Sequence, residues 1–443
     1  MAYAKKRGKT WYVRWPLPER TAPTAAHPNG RPKEGYEDGF ATKTAALAFG
    51  RAQEAAIAAG TWIDPKQGKR TLADWWGEWF PVQRYRPNTR ESYEQQWNKH
   101  IRPRWGSTPL AAIRPLDMDA WINALRDRYA ASTVTVILAP LSDALEDAAI
   151  NSMIGRSPMP AKDRRGRAVE GAKPPREGVV APLEHIEAIA LRLRGDEAIM
   201  ILVALFTGMR WSEFAAMRRT HLYLDRGFYV IDPREGAVHE DKHSRRFGGA
   251  PKSGASGSLG PGYPPGRIID LPPFLIVLLR AYLATLPEGQ DLLFANRVGQ
   301  WRQYDAFRRD RWRPACDGRA AQVTAAGRAR EAVAPVHAGL QMHDLKHTHK
   351  GLLNNGRIHE AAQDYRLGHS KPGAAGDYSH PTPEMRRELV DWLEKVWQQW
   401  HPTALIAALE AYLAARGAAP TARPTRALLA QPLSLPPAPD ALF

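Results

Sequence analysis

Cysteine is almost missing from this chain, with one residue in 443. That excludes a disulfide framework, a zinc ribbon and a CxxC redox pair, and it fits a reducing, cytoplasmic setting. Long apolar runs are missing as well. The run from Ile199 to Phe206 falls far short of the roughly 20 residues a membrane helix needs, and the opening MAYAKKRGKTWYVRW has no apolar signal core. A soluble intracellular protein is expected. Four familiar catalytic signatures are also lacking: a GxSxG elbow, a Walker A loop, HExxH, and GxGxxG after a strand. The histidines have no carboxylate or thiolate neighbours at ligand spacing, so neither a metal nor another cofactor is expected.

Positive charge, by contrast, is plentiful. There are 62 Lys+Arg against 46 Asp+Glu, a net +16. Basic side chains that neutralise phosphates release condensed counterions, which makes a polyanion the leading partner. Solubility charge on an ordinary enzyme is the plain alternative. With 44% apolar and 9% aromatic residues, the chain can build full-sized cores, and its length suits roughly two to four domains.

The charge excess is concentrated at the front, where residues 1 to 70 carry 13 Lys/Arg against 6 Asp/Glu. Lys5, Lys6, Arg7 and Lys9 surround Gly8 and are candidate DNA-binding residues. Trp11 to Trp15 alternates as a strand does, Tyr36 to Ala41 is a second candidate strand, and Thr42 can cap a helix from Lys43 to Ala59. From Thr71 the pattern becomes helical. Leu72, Trp75, Trp76, Trp79 and Phe80 share one side of a helix, and Tyr93, Trp97 and Ile101 recur every four residues in the next. Further helices are expected at 116–129 and 132–154, giving a four-helix unit whose tryptophans face inward. Residues 155 to 178 turn to Pro, Gly and seven basic residues, among them Arg164, Arg165 and Arg167. That stretch is a basic linker suited to a chain that encircles a duplex.

The remainder, to about Trp400, mixes helices (183–193, 196–206, 272–285) with short strands at 227–231 and 267–271. An amphipathic helix is expected over 383–400. A second, at 404–415, is a candidate to pack on a neighbouring protomer, and the Pro/Ala-rich end is expected to be disordered. The segment 301–330, with eight Arg against three Asp, is either a DNA-facing insertion or a solvated surface.

A dispersed set of basic residues and histidines carries the chemistry: TGMRWSEF at 207–214, Lys252, HDLKH at 343–347, LGHS at 367–370 and DYSH at 377–380. Guanidinium, ammonium and imidazolium groups can hold the charge of a phosphoryl-transfer transition state in place of a metal. In this order and spacing the set resembles the tyrosine recombinase (phage integrase) family. Arg210 with Glu213 matches that family's first box. His343 and Lys346 match its His-x-x-Arg box, with lysine standing where the family has arginine. His369 precedes Tyr378 by the family's nine-residue step, and Lys252 resembles its hairpin lysine, with Lys242 as the alternative. Tyr365 and Tyr304 are rival tyrosines.

The resemblance implies a multidomain, mainly α protein with small β-sheets. An arm-type DNA-binding domain would occupy 1–65, a helical core-binding domain 71–155, the basic linker 156–178, a mixed α+β catalytic domain 179–400, and a C-terminal helix and tail 401–443. It implies a DNA recombinase in which Tyr378 attacks a phosphate. Arg210, Lys346 and His369 would stabilise the transition state, Lys252 would protonate the leaving oxygen, His343 would assist proton transfer, and Glu213 would orient the cluster. The implied partners are double-stranded DNA at attachment sites, further copies of the chain in a tetramer, and a directionality factor. A type IB topoisomerase-like strand relaxation and a catalytically silent DNA-binding protein are the alternatives.

Overall fold

The computed structural model describes residues 1–20, 32–59, 62, 65–160, 178–241, 245–252, 263–323, 329–369 and 381–417. The chain divides into two units, Met1–Arg176 and Glu177–Phe443.

The first unit opens with an antiparallel sheet, β1 (Tyr3–Arg7), β2 (Thr10–Arg20) and β3 (Pro32–Phe40), with β2 in the middle. Successive side chains of β2 point to opposite faces. Val13 and Trp15 are therefore buried under helix α1 (Lys43–Ala58), while Arg14 stays exposed. The Thr42 hydroxyl caps α1 by accepting the Ala45 N–H at 3.1 Å, and Phe49 meets Trp15 edge-on at 5.7 Å. Lys5, Lys6 and Arg7, paired with Tyr12, Trp11 and Thr10 of β2, are exposed along the edge strand, as is Lys9 in the turn.

After the short helix α2 (Pro65–Gly68), the rest of this unit is helical: α3 (Leu72–Val82), α4 (Pro87–Gln96), α5 (Arg102–Trp105), α6 (Pro115–Arg126) and α7 (Ala131–Ile150). A capping box between Thr71 and Asp74 starts α3. Trp97–Ile101 forms a π turn that joins α4 to α5. Residues spaced by four drift around an α-helix by ~40° per step, because 3.6 residues make a turn. The wider π turn cancels that drift, so Trp97, Ile101 and Trp105 all stay buried. Trp76 stacks on Trp97 with centroids 4.4 Å apart and planes 1° from parallel. The tryptophans thus build the core: Trp75 donates its indole N–H to the Ala144 carbonyl at 2.8 Å, while the buried Trp105 indole N–H has no hydrogen-bond partner.

The second unit is built around α9 (Gly195–Thr207), buried on every side from Glu197 to Thr207. Helices α8 (Leu183–Ala190), α11 (Pro273–Ala284), α14 (Asp344–Asn355), α16 (Pro383–Trp400) and α17 (Thr403–Ala414) contribute to the same core. The single turn α10 (Trp211–Phe214) follows α9. An antiparallel sheet runs β4 (Leu222–Tyr223), β5 (Phe228–Ile231), β8 (Arg267–Asp270), with a separate hairpin, β6 (Ala237–Glu240) and β7 (Arg246–Gly249), inserted between β5 and β8. Short helices α12 (Tyr304–Phe307) and α13 (Arg313–Asp317), a two-stranded β9 (Gln322–Val323) and β10 (Ala329–Arg330), and α15 (Glu360–Leu367) complete the unit. The architecture is mainly helical with small antiparallel sheets, as expected from the sequence.

Helix α17 packs on the core of its own unit, where Leu405, Leu409 and Leu413 are buried and the Leu405 N–H donates to Glu187 at 3.4 Å. Two arginines of the segment 301–330 turn toward a buried carboxylate, while Arg309 stays exposed. Arg302 bonds Asp196 and Glu197, and Arg311 grips the buried Glu197 at 2.6 Å, because a carboxylate taken out of water must find cations. No helix among the described residues is long and apolar enough to cross a membrane. The tail beyond residue 417 lies outside the described residues.

Candidate active site

Helix α9 stops because Gly208 turns left-handed, at φ 65°. A Cβ there would sit 2.5 Å from the His349 ring, so only glycine fits. The stop places Arg210 at the start of α10, where its N–H donates to Glu213 Oε2 at 2.9 Å and its Nη1 reaches Glu213 Oε1 at 3.3 Å. Glu213 is fully buried and is held from the other side by the equally buried Arg267 of β8, at 2.7 Å. One carboxylate therefore fixes two guanidiniums.

Lys346, in the first turn of α14, points toward the same place. Its Nζ donates to the Leu367 carbonyl at 2.6 Å, and Arg210 Nη1 approaches that oxygen at 3.5 Å. Leu367 closes α15, and Gly368, at φ 63°, turns the chain out of the helix. Lys346 is only 6% exposed. Burial above all, with Arg210 and Arg267 adding to it against the pull of Glu213, pushes its ammonium down to about 7. His369 follows Gly368, with its N–H on the Asp364 carbonyl at 2.9 Å and its Nδ1 3.7 Å from Asp364 Oδ1. Burial, then the nearby Lys346 and Arg210, lower its pKa. His343 sits at the surface just before α14, its ring edge-on to His347 at 5.1 Å. Burial and then His347, Lys346 and Arg210 disfavour its imidazolium.

The structure thus brings Arg210, Glu213, Lys346 and His369 together, with His343 within their electrostatic reach. Lys252 is exposed just beyond β7. Tyr378, Lys242, Arg164, Arg165 and Arg167 lie outside the described residues. Both rival tyrosines are engaged elsewhere. Tyr365 accepts the Ile268 N–H at 3.2 Å, and Tyr304 packs on Trp211 at 5.3 Å. Sequence reasoning missed Arg267, His349 and Arg366, since a buried charge leaves no local signature.

Two cations converging on one carbonyl oxygen, with a third behind the carboxylate, leave the pocket short of negative charge. The chemistry of such an arrangement suits an anion, and the fold that carries it has solved counterparts. The Tn1549 transposon integrase in complex with circular intermediate DNA superposes with a TM-score of 0.52 at 15% identity, over 73% of this chain and 99% of that one. The same integrase with transposon right end DNA gives 0.50 at 15% identity, again over 73% and 99%. The fold is that of a tyrosine-type integrase.

The sequence comparisons agree. Residues 71–126 match the family described as phage integrase, N-terminal SAM-like domain. The prophage phiRv2 integrase of Mycobacterium tuberculosis strain H37Rv is 25% identical over 329 residues, 72% of this chain and 76% of that protein. The chain is thus similar to phage and transposon integrases, over residues 71–126 and in its fold.

Proposed function

We propose that this chain is a site-specific DNA recombinase that integrates or excises a mobile element. The observation that carries the reading is the convergence of Arg210 and Lys346 on the Leu367 carbonyl, because a phosphate oxygen entering that position would replace one neutral acceptor by a charged one. Tyr378 Oη attacks the phosphorus of a DNA phosphodiester, and the bond from phosphorus to the 5′-oxygen breaks. A 3′-phosphotyrosyl ester and a free 5′-hydroxyl result, so no external energy source is required. Arg210, Lys346 and His369 hold the negative charge of the pentavalent state. The arriving phosphate favours the ammonium form of Lys346. Lys252, or Lys242 nearby, protonates the leaving 5′-oxygen, and His343 assists the proton transfer. Glu213 keeps Arg210 oriented.

In this reading residues 1–65 grip arm-type DNA through Lys5, Lys6, Arg7 and Lys9. Residues 71–155 bind the core site, and the linker at 156–178 follows the duplex with Arg164, Arg165 and Arg167. Residues 179–400 hold the catalytic centre, and 401–443 supply the C-terminal helix and tail. A tetramer joins two duplexes in the cytoplasm, with a directionality factor setting the outcome. The test is a nicked suicide substrate carrying the attachment site. Wild type forms a covalent protein–DNA adduct, and Tyr378→Phe keeps DNA affinity but forms none, because only the attacking oxygen is gone. Absence of adduct from wild type on DNA it demonstrably binds would replace this reading by a silent DNA-binding protein. Adduct from Tyr378→Phe but not from Tyr365→Phe would move the nucleophile.

A further inference from the structure

Behind the cluster lies a second set of polar groups, centred on two buried side chains. His349, one turn beyond Lys346 on α14, and Arg366, on α15, are both buried. His349 Nδ1 lies 2.8 Å from the Leu205 carbonyl, which can only accept, so Nδ1 carries the proton. Nε2 is then an acceptor, and it takes the Arg366 Nε–H at 3.1 Å. The remaining arms of the Arg366 fork donate to the Phe206 carbonyl at 2.7 Å and the Asp270 carbonyl at 2.8 Å. Leu205 and Phe206 belong to the last turn of α9, whose carbonyls lose their helical partners when the chain breaks at Gly208. Arg386 of α16 in turn holds the Asp270 carboxylate.

Each bond of this set ends on an element that carries a residue of the anion site or leads directly into one. The last turn of α9 precedes Arg210 by a few residues, α14 carries Lys346, β8 carries Arg267, and α15 delivers the Leu367 carbonyl and His369. We infer that Arg366 and His349 form a positioning pair that caps α9 and fixes the relative placement of Arg210, Lys346 and His369 without touching DNA. The inference rests on the strand-transfer reading of the site. Arginine is needed there because its planar fork supplies three N–H groups at set angles to three acceptors, which a lysine cannot do. Burial keeps His349 neutral, with its pKa well below the ordinary value, as its acceptor role requires.

The experiment compares single-turnover cleavage of a suicide substrate at saturating DNA for Arg366→Met, Arg366→Lys, His349→Phe and His349→Gln, each in the full chain and well below its melting temperature. Active fraction is set by gel-shift titration. Arg366→Met, Arg366→Lys and His349→Phe are expected to cleave about tenfold to 10²-fold more slowly, the scale of a small misplacement of reacting groups, with DNA affinity unchanged. His349→Gln keeps one donor and one acceptor and should recover most of the rate. A loss fully explained by a smaller active fraction, or wild-type cleavage by Arg366→Lys and His349→Phe, overturns the inference. Arg210→Ala run alongside separates the two levels. If it cleaves normally, the catalytic reading fails; if it is dead while the Arg366 and His349 variants are normal, only the positioning role fails.

Discussion

Replacing Lys346 by methionine should make the protein more stable and inactive at once. The ordinary lysine value of 10.5 falls to about 7 in the folded state. At ~1.4 kcal/mol per pH unit, holding the ammonium in place near neutrality costs about 5 kcal/mol relative to water. The bond to Leu367 is already part of that balance, and its loss leaves a buried carbonyl unpaired at a cost of about 1–3 kcal/mol. A net gain of about 2 kcal/mol or more is therefore expected for Lys346→Met at pH 7 and below. The sign follows from proton counting. Between pH 7 and 10.5 the unfolded chain holds a proton at this site that the folded chain has released, so wild-type stability rises with pH relative to the variant. The lowered pKa contributes stability that is full above 10.5 and gone below about 7. The advantage of Lys346→Met should thus shrink by ~1.4 kcal/mol per pH unit above neutrality. Urea unfolding of both proteins at pH 6, 7, 8 and 9, followed through the transition of the second unit, measures this. A difference independent of pH, or a destabilised Met variant at pH 6, would refute the reasoning. Suicide-substrate cleavage should meanwhile fall about 10²-fold, the loss expected for one transition-state donor, while Lys346→Arg stays active.

Deleting residues 1–65 should leave cleavage of a core-type site intact and weaken integration at a site with flanking arm sequences. The isolated module should bind DNA with a steep salt dependence in gel shifts, and no binding at low salt would make the module purely structural. Gly208→Ala should cost about 2 kcal/mol or more in thermal unfolding, since a left-handed L-residue alone costs ~1–2 kcal/mol and the new methyl meets the His349 ring. Cleavage should slow with it, and unchanged melting would mean that the turn tolerates a side chain.

Legibility in the sequence followed local periodicity. The alternation of Trp11, Val13 and Trp15 reports a face whose inner part, Val13 and Trp15, is buried, and the four-residue step from Trp97 to Ile101 reports another buried face. Strand β1, YAKKR, has no such face. It is exposed on the edge, paired through backbone bonds that any side chain permits, and so carried no signal. The hairpin β6–β7 was invisible for a similar reason, being four residues a strand and rich in glycine at its end. In the site, Arg210, Glu213, Lys346 and His369 were legible through their order and spacing. Arg366 was not: its partner carbonyl on Phe206 is 160 residues away, and no local pattern encodes a contact of that range.

The place of α17 bears on how the chain is made. Helix α9 is wrapped by segments drawn from both ends of its unit, and Tyr412 lies against Gly195, where α9 begins. Synthesis proceeds from the N-terminus at ~5–20 residues per second, so the α9 segment emerges from the ribosome some two hundred residues before Leu409 and Leu413 can cover it. For that interval of roughly 10–40 seconds the most apolar run of the chain has no lid. A ribosome stalled after α9 has emerged and before residue 405 therefore carries a nascent chain that a holdase chaperone should recognise, and release should coincide with the arrival of α17.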